Sequence, residues 1–343
     1  MKLQRKMPQF RIALNSRCER ACFYCRPSGE AVSTDSGISI DPNDVLKVAR
    51  VLRGQGIESV KLTGGEPALY GPLEEVVYRL RHDAGFREVE VISRHPKIGA
   101  RARALKCAGV TQFNISLDTL DPSLHREICG VDDLKQILAA LSECVATDIP
   151  CKVNTVVMAG VNESELSELA AYCDDTGVAT LKFLDVISDL DAGKETFVKR
   201  LARRRRHTLR DLHVPLDMIR KKFEKLSLHM ETYYQGDLGH PMTALTLQSG
   251  MKLVFKDSSF GAWYGPVCEG CKFFPCHDAL MALRLTADLR LQFCLLGEHI
   301  TVPLSEEVLA CDIALEKTIT HSLSQYSGVY FRKSPVDEQR KVS

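Results

Sequence analysis

The 343-residue sequence has almost no net charge: 45 Lys and Arg stand against 44 Asp and Glu, a formal +1. A balance that close supplies no global field to draw the chain to nucleic acid or to an anionic membrane. Long apolar runs are also missing; none approaches the roughly 20 residues of a membrane-spanning helix. Behind the basic residues of Met1–Pro8 there is no apolar core, so this stretch does not read as a secretory signal peptide. These absences predict a cytoplasmic protein with no membrane partner. With 45% hydrophobic residues the chain can build a real core, and its length suits one large domain with a smaller extension.

Cysteine, by contrast, is abundant, with thirteen in the chain. In a reducing compartment clustered thiols point to metal or catalysis rather than disulfides. Cys18, Cys22 and Cys25 form a C-x₃-C-x₂-C group. Cys268, Cys271, Cys276 and Cys294 form a second. Cys107, Cys129, Cys144, Cys151, Cys173 and Cys311 are scattered and read as small buried hydrophobes. A structural zinc site usually takes four ligands, and the first group has three thiols and no histidine close by. Three thiolates in one tight loop suit a cubane [4Fe–4S] cluster instead, with one iron left over for a small chelating molecule.

Six apolar runs alternate with helix-like segments from residue 9 to about 187. The predicted strands are Gln9–Leu14, Ser59–Leu62, Glu88–Ile92, Gln112–Leu117, Cys151–Val157 and Thr180–Val186, rich in the residues of strands buried on both faces. Stripes such as Leu73, Val76, Val77 and Leu80 mark the helices between them. Repeated right-handed β–α units give a parallel sheet with helices outside. Six units are too few for a closed eight-stranded barrel, so the predicted fold is α/β, a partial (β/α)6 barrel with a C-terminal cysteine-rich extension. Loops after the strands gather at one end, where such folds do their chemistry. The first cysteine group, Thr63-Gly64-Gly65-Glu66-Pro67, Ser93-Arg94-His95 and Asp118-Thr119-Leu120-Asp121 all fall there.

The C-x₃-C-x₂-C loop followed one β–α unit later by Gly-Gly-Glu-Pro resembles the radical S-adenosylmethionine (AdoMet) superfamily. Within it, Lys61–Pro67, Asn114–Pro122, Lys152–Val157, Gly160–Glu163, Leu181–Phe183 and Arg284–Leu295 resemble, in that order, the GTP 3′,8-cyclases of molybdenum cofactor biosynthesis. The resemblance covers roughly residues 9–187 and 265–296. It implies that Cys18, Cys22 and Cys25 ligate a [4Fe–4S] cluster whose open iron is chelated by AdoMet. Reduction then yields a 5′-deoxyadenosyl radical that abstracts hydrogen from substrate. It further implies Tyr24 near the adenine, Gly64, Gly65 and Glu66 around the methionine amino group, and Ser116 near the ribose or carboxylate. Matching basic positions for an anionic substrate are Arg11, Lys61, Lys152, Lys182 and Arg284, expected at the strand ends around the barrel mouth. An electron donor such as flavodoxin or ferredoxin is the implied partner.

The chain departs from the cyclase pattern in four places. Ala282 stands where an arginine is expected; the C-terminal Gly-Gly is absent; Ser93-Arg94-His95 replaces a Thr-Asn-Gly turn; and the auxiliary cysteines are spaced differently. With Cys276 as a ligand, Cys268, Cys271, Cys276 and Cys294 would hold all four irons of a second [4Fe–4S] cluster; without it, one iron stays open. A structural zinc is the other use of four cysteines. The expected organisation is a barrel core over 1–187, a basic helical linker over 188–230, an auxiliary-cluster domain over 231–330 and a disordered tail over 331–343. A helix is predicted over Met218–Leu228. The basic run Lys199–His207 reads as a solvated face rather than a nucleic-acid site. Two other readings stay open: a paralogue modifying a peptide, sugar or nucleoside, and a non-enzymatic iron–sulfur or zinc protein that binds RNA through Arg203–Arg206.

Overall fold

The structure is a computed structural model that describes residues 6–22, 24–25, 37–187, 211–257, 260–276, 279–296 and 300–333. The basic run Lys199–His207 and the chain beyond residue 333 lie outside the described residues.

Six β–α units open the chain. The strands are β1 (Gln9–Ala13), β2 (Ser59–Thr63), β3 (Glu88–Ser93), β4 (Gln112–Ser116), β5 (Cys151–Val156) and β6 (Thr180–Leu184). Between them run α1 (Pro42–Gly54), α2 (Leu73–Tyr78), α3 (Lys97–Ala108), α4 (Pro122–Cys129), α5 (Leu134–Val145) and α6 (Leu166–Thr176). Local chemistry sets the ends. Asp41 caps α1 by accepting from the Asn43 amide, and Asp121 caps α4 by accepting from the Leu124 amide, each just ahead of a proline in the first turn. Gly109, Gly130 and Gly177 close α3, α4 and α6 in the left-handed conformation that glycine adopts without strain.

The rest of the chain extends this sheet at both edges. After α7 (Leu216–Phe223) come β7 (Ser227–Tyr233), β8 (Met242–Leu247) and β9 (Lys252–Lys256), then β10 (Ala262–Tyr264), β11 (Ala282–Leu285), β12 (Arg290–Gln292) and β13 (Thr301–Pro303). Helices α8 (Glu306–Ala310) and α9 (Asp312–Ser324) follow, and β14 (Tyr330–Arg332) pairs with β10. The main sheet runs β13-β12-β11-β1-β2-β3-β4-β5-β6-β9-β8-β7. β9 lies parallel to β6, and β11 lies parallel to β1. The expected six-stranded core is therefore flanked by two more parallel strands drawn from the C-terminal half.

The expected helix over Met218–Leu228 ends early. Phe223 stacks on Phe183 and packs against Phe255, and the chain from Ser227 then pairs with β8 instead of continuing the helix. Tyr330–Arg332, partly inside the expected disordered tail, is an exposed strand held by its ladder to β10.

The strands do not present apolar residues on both faces. Phe10, Ile12, Val60, Leu62, Val89, Val91, Leu181 and Phe183 join the helices in one core. At about 25 cal/mol per Å² of apolar surface, this burial is the main stabilising term. The alternate positions are polar: Lys61, Glu90, Asn114, Lys152 and Lys182 are buried, and Arg11 is half-buried. They face inward, because a cavity of about 300 Å³ is lined by residues of β1 to β6, β9 and β11 together. The sheet curls around that lumen.

Candidate active site

The first cysteine loop begins where β1 ends. Its course is fixed by the Gly-Gly-Glu turn after β2. The amide of Leu14 donates to Thr63, and that of Gly65 to Asn15. The Asn15 side chain, buried, clamps Glu66 twice: Nδ2 donates to the Glu66 carbonyl at 2.9 Å, and Oδ1 accepts from the Glu66 amide at 3.1 Å. A Cβ on Gly64, whose φ is +138°, would stand 2.6 Å from the Asn15 carbonyl; one on Gly65 would stand 2.2 Å from that of Arg17. The sequence reading assigns these glycines to close approach of a ligand. The backbone they admit is that of the cysteine loop itself.

Glu66 is likewise engaged by protein. Its carboxylate accepts from the Ser93 hydroxyl at 2.5 Å and from the amides of Ala68 and Arg94 at 2.9 and 3.0 Å. A carboxylate has about four acceptor positions, so roughly one remains for an ammonium group.

The loop after β3 grips the cysteine loop from the other side. Arg94 is buried and pairs with Asp118 at 2.6 Å, and it also donates to the Tyr24 hydroxyl, which donates to Asp118 at 2.7 Å. Burial drives the Tyr24 phenol well above its ordinary range, so it stays a donor. Asp118 turns its other oxygen to the Val156 amide at 2.9 Å. His95 meets Glu19 at 3.2 Å; that contact and Arg17 hold the Glu19 carboxyl below its usual range. Arg20, from the same loop, forks onto Asp133 at 3.1 and 2.5 Å. Asp133 also faces His125 at 3.0 Å, and His125 faces Cys129 Sγ at 3.2 Å.

Cys129 is therefore more than the apolar filler the sequence suggests. Although burial opposes charge, its bond to His125 holds the thiol below its ordinary value. Cys144, Cys151 and Cys173 are buried as expected, but Cys107 and Cys311 are exposed. Cys107 lies on a solvent-facing position of α3, and Cys311 at the junction of α8 and α9.

Cys18, Cys22 and Cys25 line one cavity of about 270 Å³ together with Tyr24, Gly64, Gly65, Glu66 and Ser116. All the residues that the resemblance assigns to cluster and AdoMet thus meet in one place. Burial pushes the Cys18 thiol up to about 11 and the Cys22 thiol up to about 12. Thiolates at Cys18 and Cys22 are unfavourable in this setting without a compensating cation, and iron supplies one. The donor set fits an iron–sulfur cluster.

The five basic residues named from the sequence, Arg11, Lys61, Lys152, Lys182 and Arg284, all line the lumen. They do not ring the mouth at the strand ends. Lys61 is in register with Arg11 on one side and Glu90 on the other, and Arg11 with Arg284, so the charges form a belt within the barrel. Period-2 alternation puts each on the inner face. Lys256, the last residue of β9, lines the same space and was not singled out in the sequence.

Burial pushes Lys61 down to about 8, against the pull of Glu90 at 3.0 Å. Burial also works against the Glu90 carboxylate, yet Lys61 and Lys152 hold it below the usual carboxylate range. Burial drives Lys182 well below its ordinary value, and Lys61, Lys152, Lys256 and Arg11 add repulsion. Among the described residues, no hydrogen bond or ion pair anchors the Lys182 ammonium. Tyr24, Thr63, Ile92, Arg94, Ser116, Ile187 and Leu295 line both the cysteine cavity and the lumen, so the two spaces adjoin.

Cys268, Cys271, Cys276 and Cys294 converge on a separate small pocket. Four thiols lining one pocket suit a four-iron cluster; among the described residues no three of them stand within 4.8 Å of one another, as a shared zinc ion would need.

Residues 12–173 match the sequence model of the Radical SAM superfamily. A probable GTP 3′,8-cyclase of Pyrococcus abyssi is 27% identical over 292 residues, 85% of this chain and 86% of that protein. A GTP 3′,8-cyclase of Aquifex aeolicus is 25% identical over 308 residues, 87% of this chain and 84% of its own length. Among solved structures, SuiB of Streptococcus suis bound to S-adenosylmethionine superposes with a TM-score of 0.56 at 12% identity. The match covers 90% of this chain and 65% of SuiB, so this chain spans just under two thirds of that protein's length.

Proposed function

As this chain belongs to the Radical SAM superfamily, we propose that it cleaves AdoMet reductively and uses the resulting radical on an anionic small molecule held in the barrel lumen, with GTP 3′,8-cyclisation as the reaction. Cys18, Cys22 and Cys25 hold the cluster, and the turn Gly64–Glu66 with Tyr24 and Ser116 holds AdoMet. Bound together, these cofactors supply a 5′-deoxyadenosyl radical.

The protein's own residues then have three tasks. Arg94, Asp118 and Asn15 fix the cysteine loop against the β2 and β3 turns. Arg11, Lys61, Lys152, Lys182, Lys256 and Arg284 hold the anion; arginine forks suit phosphate oxygens, and lysines act as point charges. Ile92, Ile187 and Leu295 line the passage between the two spaces with apolar side chains and limit water there. A flavodoxin or ferredoxin in the cytoplasm supplies the electron. Among the described residues no helix is long and apolar enough to cross a membrane.

One observation carries the reading: the five basic residues matched to an anionic substrate, Arg11, Lys61, Lys152, Lys182 and Arg284, line a single lumen that adjoins the cysteine cavity. Anaerobic reconstitution with iron, sulfide, dithionite and AdoMet tests it. The expected result is 5′-deoxyadenosine, with a cyclised product when GTP is added. Absence of AdoMet cleavage in protein with a full iron complement overturns the radical reading.

A second reading keeps the radical and changes the substrate to a nucleoside, sugar or peptide. Ala282 favours it: this residue is wholly buried on β11, in register with Gln9, and supplies no guanidinium where an arginine is expected. AdoMet cleavage without turnover of GTP distinguishes the two.

A further inference from the structure

The lumen and the auxiliary-cysteine pocket are chemical opposites. Seven cationic side chains line the lumen, among them Arg94, which is paired with Asp118. The pocket that holds Cys268, Cys271, Cys276 and Cys294 is walled by Val267, Phe274, Leu280, Leu296 and Ile300, and no charged side chain lines it among the described residues. None of its four cysteines lines the lumen or the first cysteine cavity.

One residue separates the two environments. Leu295 lines the lumen and the first cavity, while its neighbours Cys294 and Leu296 line the auxiliary pocket. The stretch Cys294–Leu296 thus borders both spaces, with the Leu295 side chain on the lumen side.

Cys276 is built into the pocket. Its sulfur accepts from the Ala279 amide at 3.4 Å, and its carbonyl accepts from the Tyr264 hydroxyl at 2.6 Å. The Tyr264 ring stands edge-on to Phe274 at 5.0 Å, and Ala262 and Ala279 complete the cluster against Cys268 and Cys276. An N–H aimed at a sulfur is the kind of contact that tunes a cluster ligand.

We infer that Cys276 completes the auxiliary cluster's ligand set, so that Cys268, Cys271, Cys276 and Cys294 hold all four irons and substrate never coordinates this cluster. The inference rests on the two-cluster reading of the chain. Four thiolates saturate four irons. An anion that moved from the lumen into this pocket would leave the lumen's cations and enter an apolar enclosure, an unfavourable transfer for any unpaired charge. Substrate recognition then falls to the lumen alone.

The test uses the full-length Cys18→Ala/Cys22→Ala/Cys25→Ala variant, which carries only the auxiliary site. It is reconstituted with ⁵⁷Fe, reduced, and examined by Mössbauer spectroscopy and by ENDOR with [¹³C]cyanide as a probe for an open iron. The expected result is about four irons per chain and no ¹³C coupling. Adding Cys276→Ala should keep the irons and create a strong ¹³C coupling; Cys276→Ser, which preserves shape, should shift the g-values without losing iron. Cyanide coupling with Cys276 intact, a Cys276→Ser spectrum identical to its parent, or zinc in place of iron overturns the inference. The radical reading is read out separately, by 5′-deoxyadenosine from the wild-type protein. Either result can fail while the other stands.

Discussion

The guanidinium of Arg94 lies 2.6 Å from the carboxylate of Asp118, with both groups almost wholly withdrawn from solvent. The same nitrogen donates to Tyr24, so strand-three and strand-four loops meet on the cysteine loop. Removing one partner of a buried pair leaves the other charge uncompensated, typically at about 3–5 kcal/mol. Arg94→Ala should therefore lower the denaturation midpoint and reduce iron bound at the first site. Arg94→Lys should keep the charge but on a shorter side chain whose ammonium falls short of Asp118 and Tyr24, recovering part of the stability and little of the AdoMet cleavage. Equal 5′-deoxyadenosine yields from Arg94→Ala and wild type would refute the assignment.

Gly65→Ala tests the turn. A methyl group 2.2 Å from the Arg17 carbonyl forces the cysteine loop outward. The expected outcome is a folded chain, judged by far-ultraviolet circular dichroism, that loses the charge-transfer absorbance of the first cluster. Gly71→Ala meets no atom within 4 Å and serves as control.

Lys182 is a buried cation in a belt of cations. Lys182→Met should raise the urea midpoint of the ligand-free protein at pH 7, since it removes a desolvated charge without breaking a pair. The same change should weaken binding of GTP or inorganic triphosphate by tenfold or more, read by equilibrium dialysis. A variant that is less stable and binds the anion as well as wild type contradicts the role given to the lumen.

Lys61 sets a pH dependence. Its ordinary value is about 10.4, and burial places it at about 8 in the fold. Between these values the unfolded chain binds more protons than the folded one, so this residue's contribution to stability rises with pH across that window. Below about 8 both states are protonated and the penalty is complete, on the order of 3 kcal/mol. Urea midpoints measured from pH 7.5 to 10 should climb in wild type and climb less in Lys61→Gln. Bound polyphosphate should flatten the rise, because it pairs the ammonium.

Thiol exposure gives an independent check on the fold. Burial pushes Cys151 and Cys173 up to about 12, and Cys144 is buried with them. Cys107 and Cys311 are exposed. Iodoacetamide on the reconstituted protein should label Cys107 and Cys311 within minutes and leave the three core thiols unmodified until denaturant is added, as followed by peptide mass spectrometry.

The six β–α units were legible because their signals are local. Each strand carries branched or aromatic residues at alternate positions, and each loop has a short motif of its own. The lumen was half legible. Arg11, Lys61, Lys152 and Lys182 break the apolar runs at period 2, a pattern that marks an inner polar face, but apolar content alone made both faces look alike. The pairing of β9 with β6 and of β11 with β1 joins segments remote in sequence, and no local pattern announces it. Arg94 stood out only as a departure from a turn motif; its partner Asp118 arrives from another strand. The Cys129–His125 contact had a visible sign, a four-residue spacing on one helix face, which the apolar reading of lone cysteines passed over.

β11 has a consequence for synthesis. It covers the edge of β1 with residues Ala282–Leu285, which follow far later in the sequence. A ribosome must therefore release the whole stretch from β1 through β11 before that edge is protected and before Arg284 reaches Arg11. Until then the nascent barrel presents an open strand edge, the feature that recruits chaperones and foreign strands alike. Maturation of this protein begins with a long wait for its own C-terminal half.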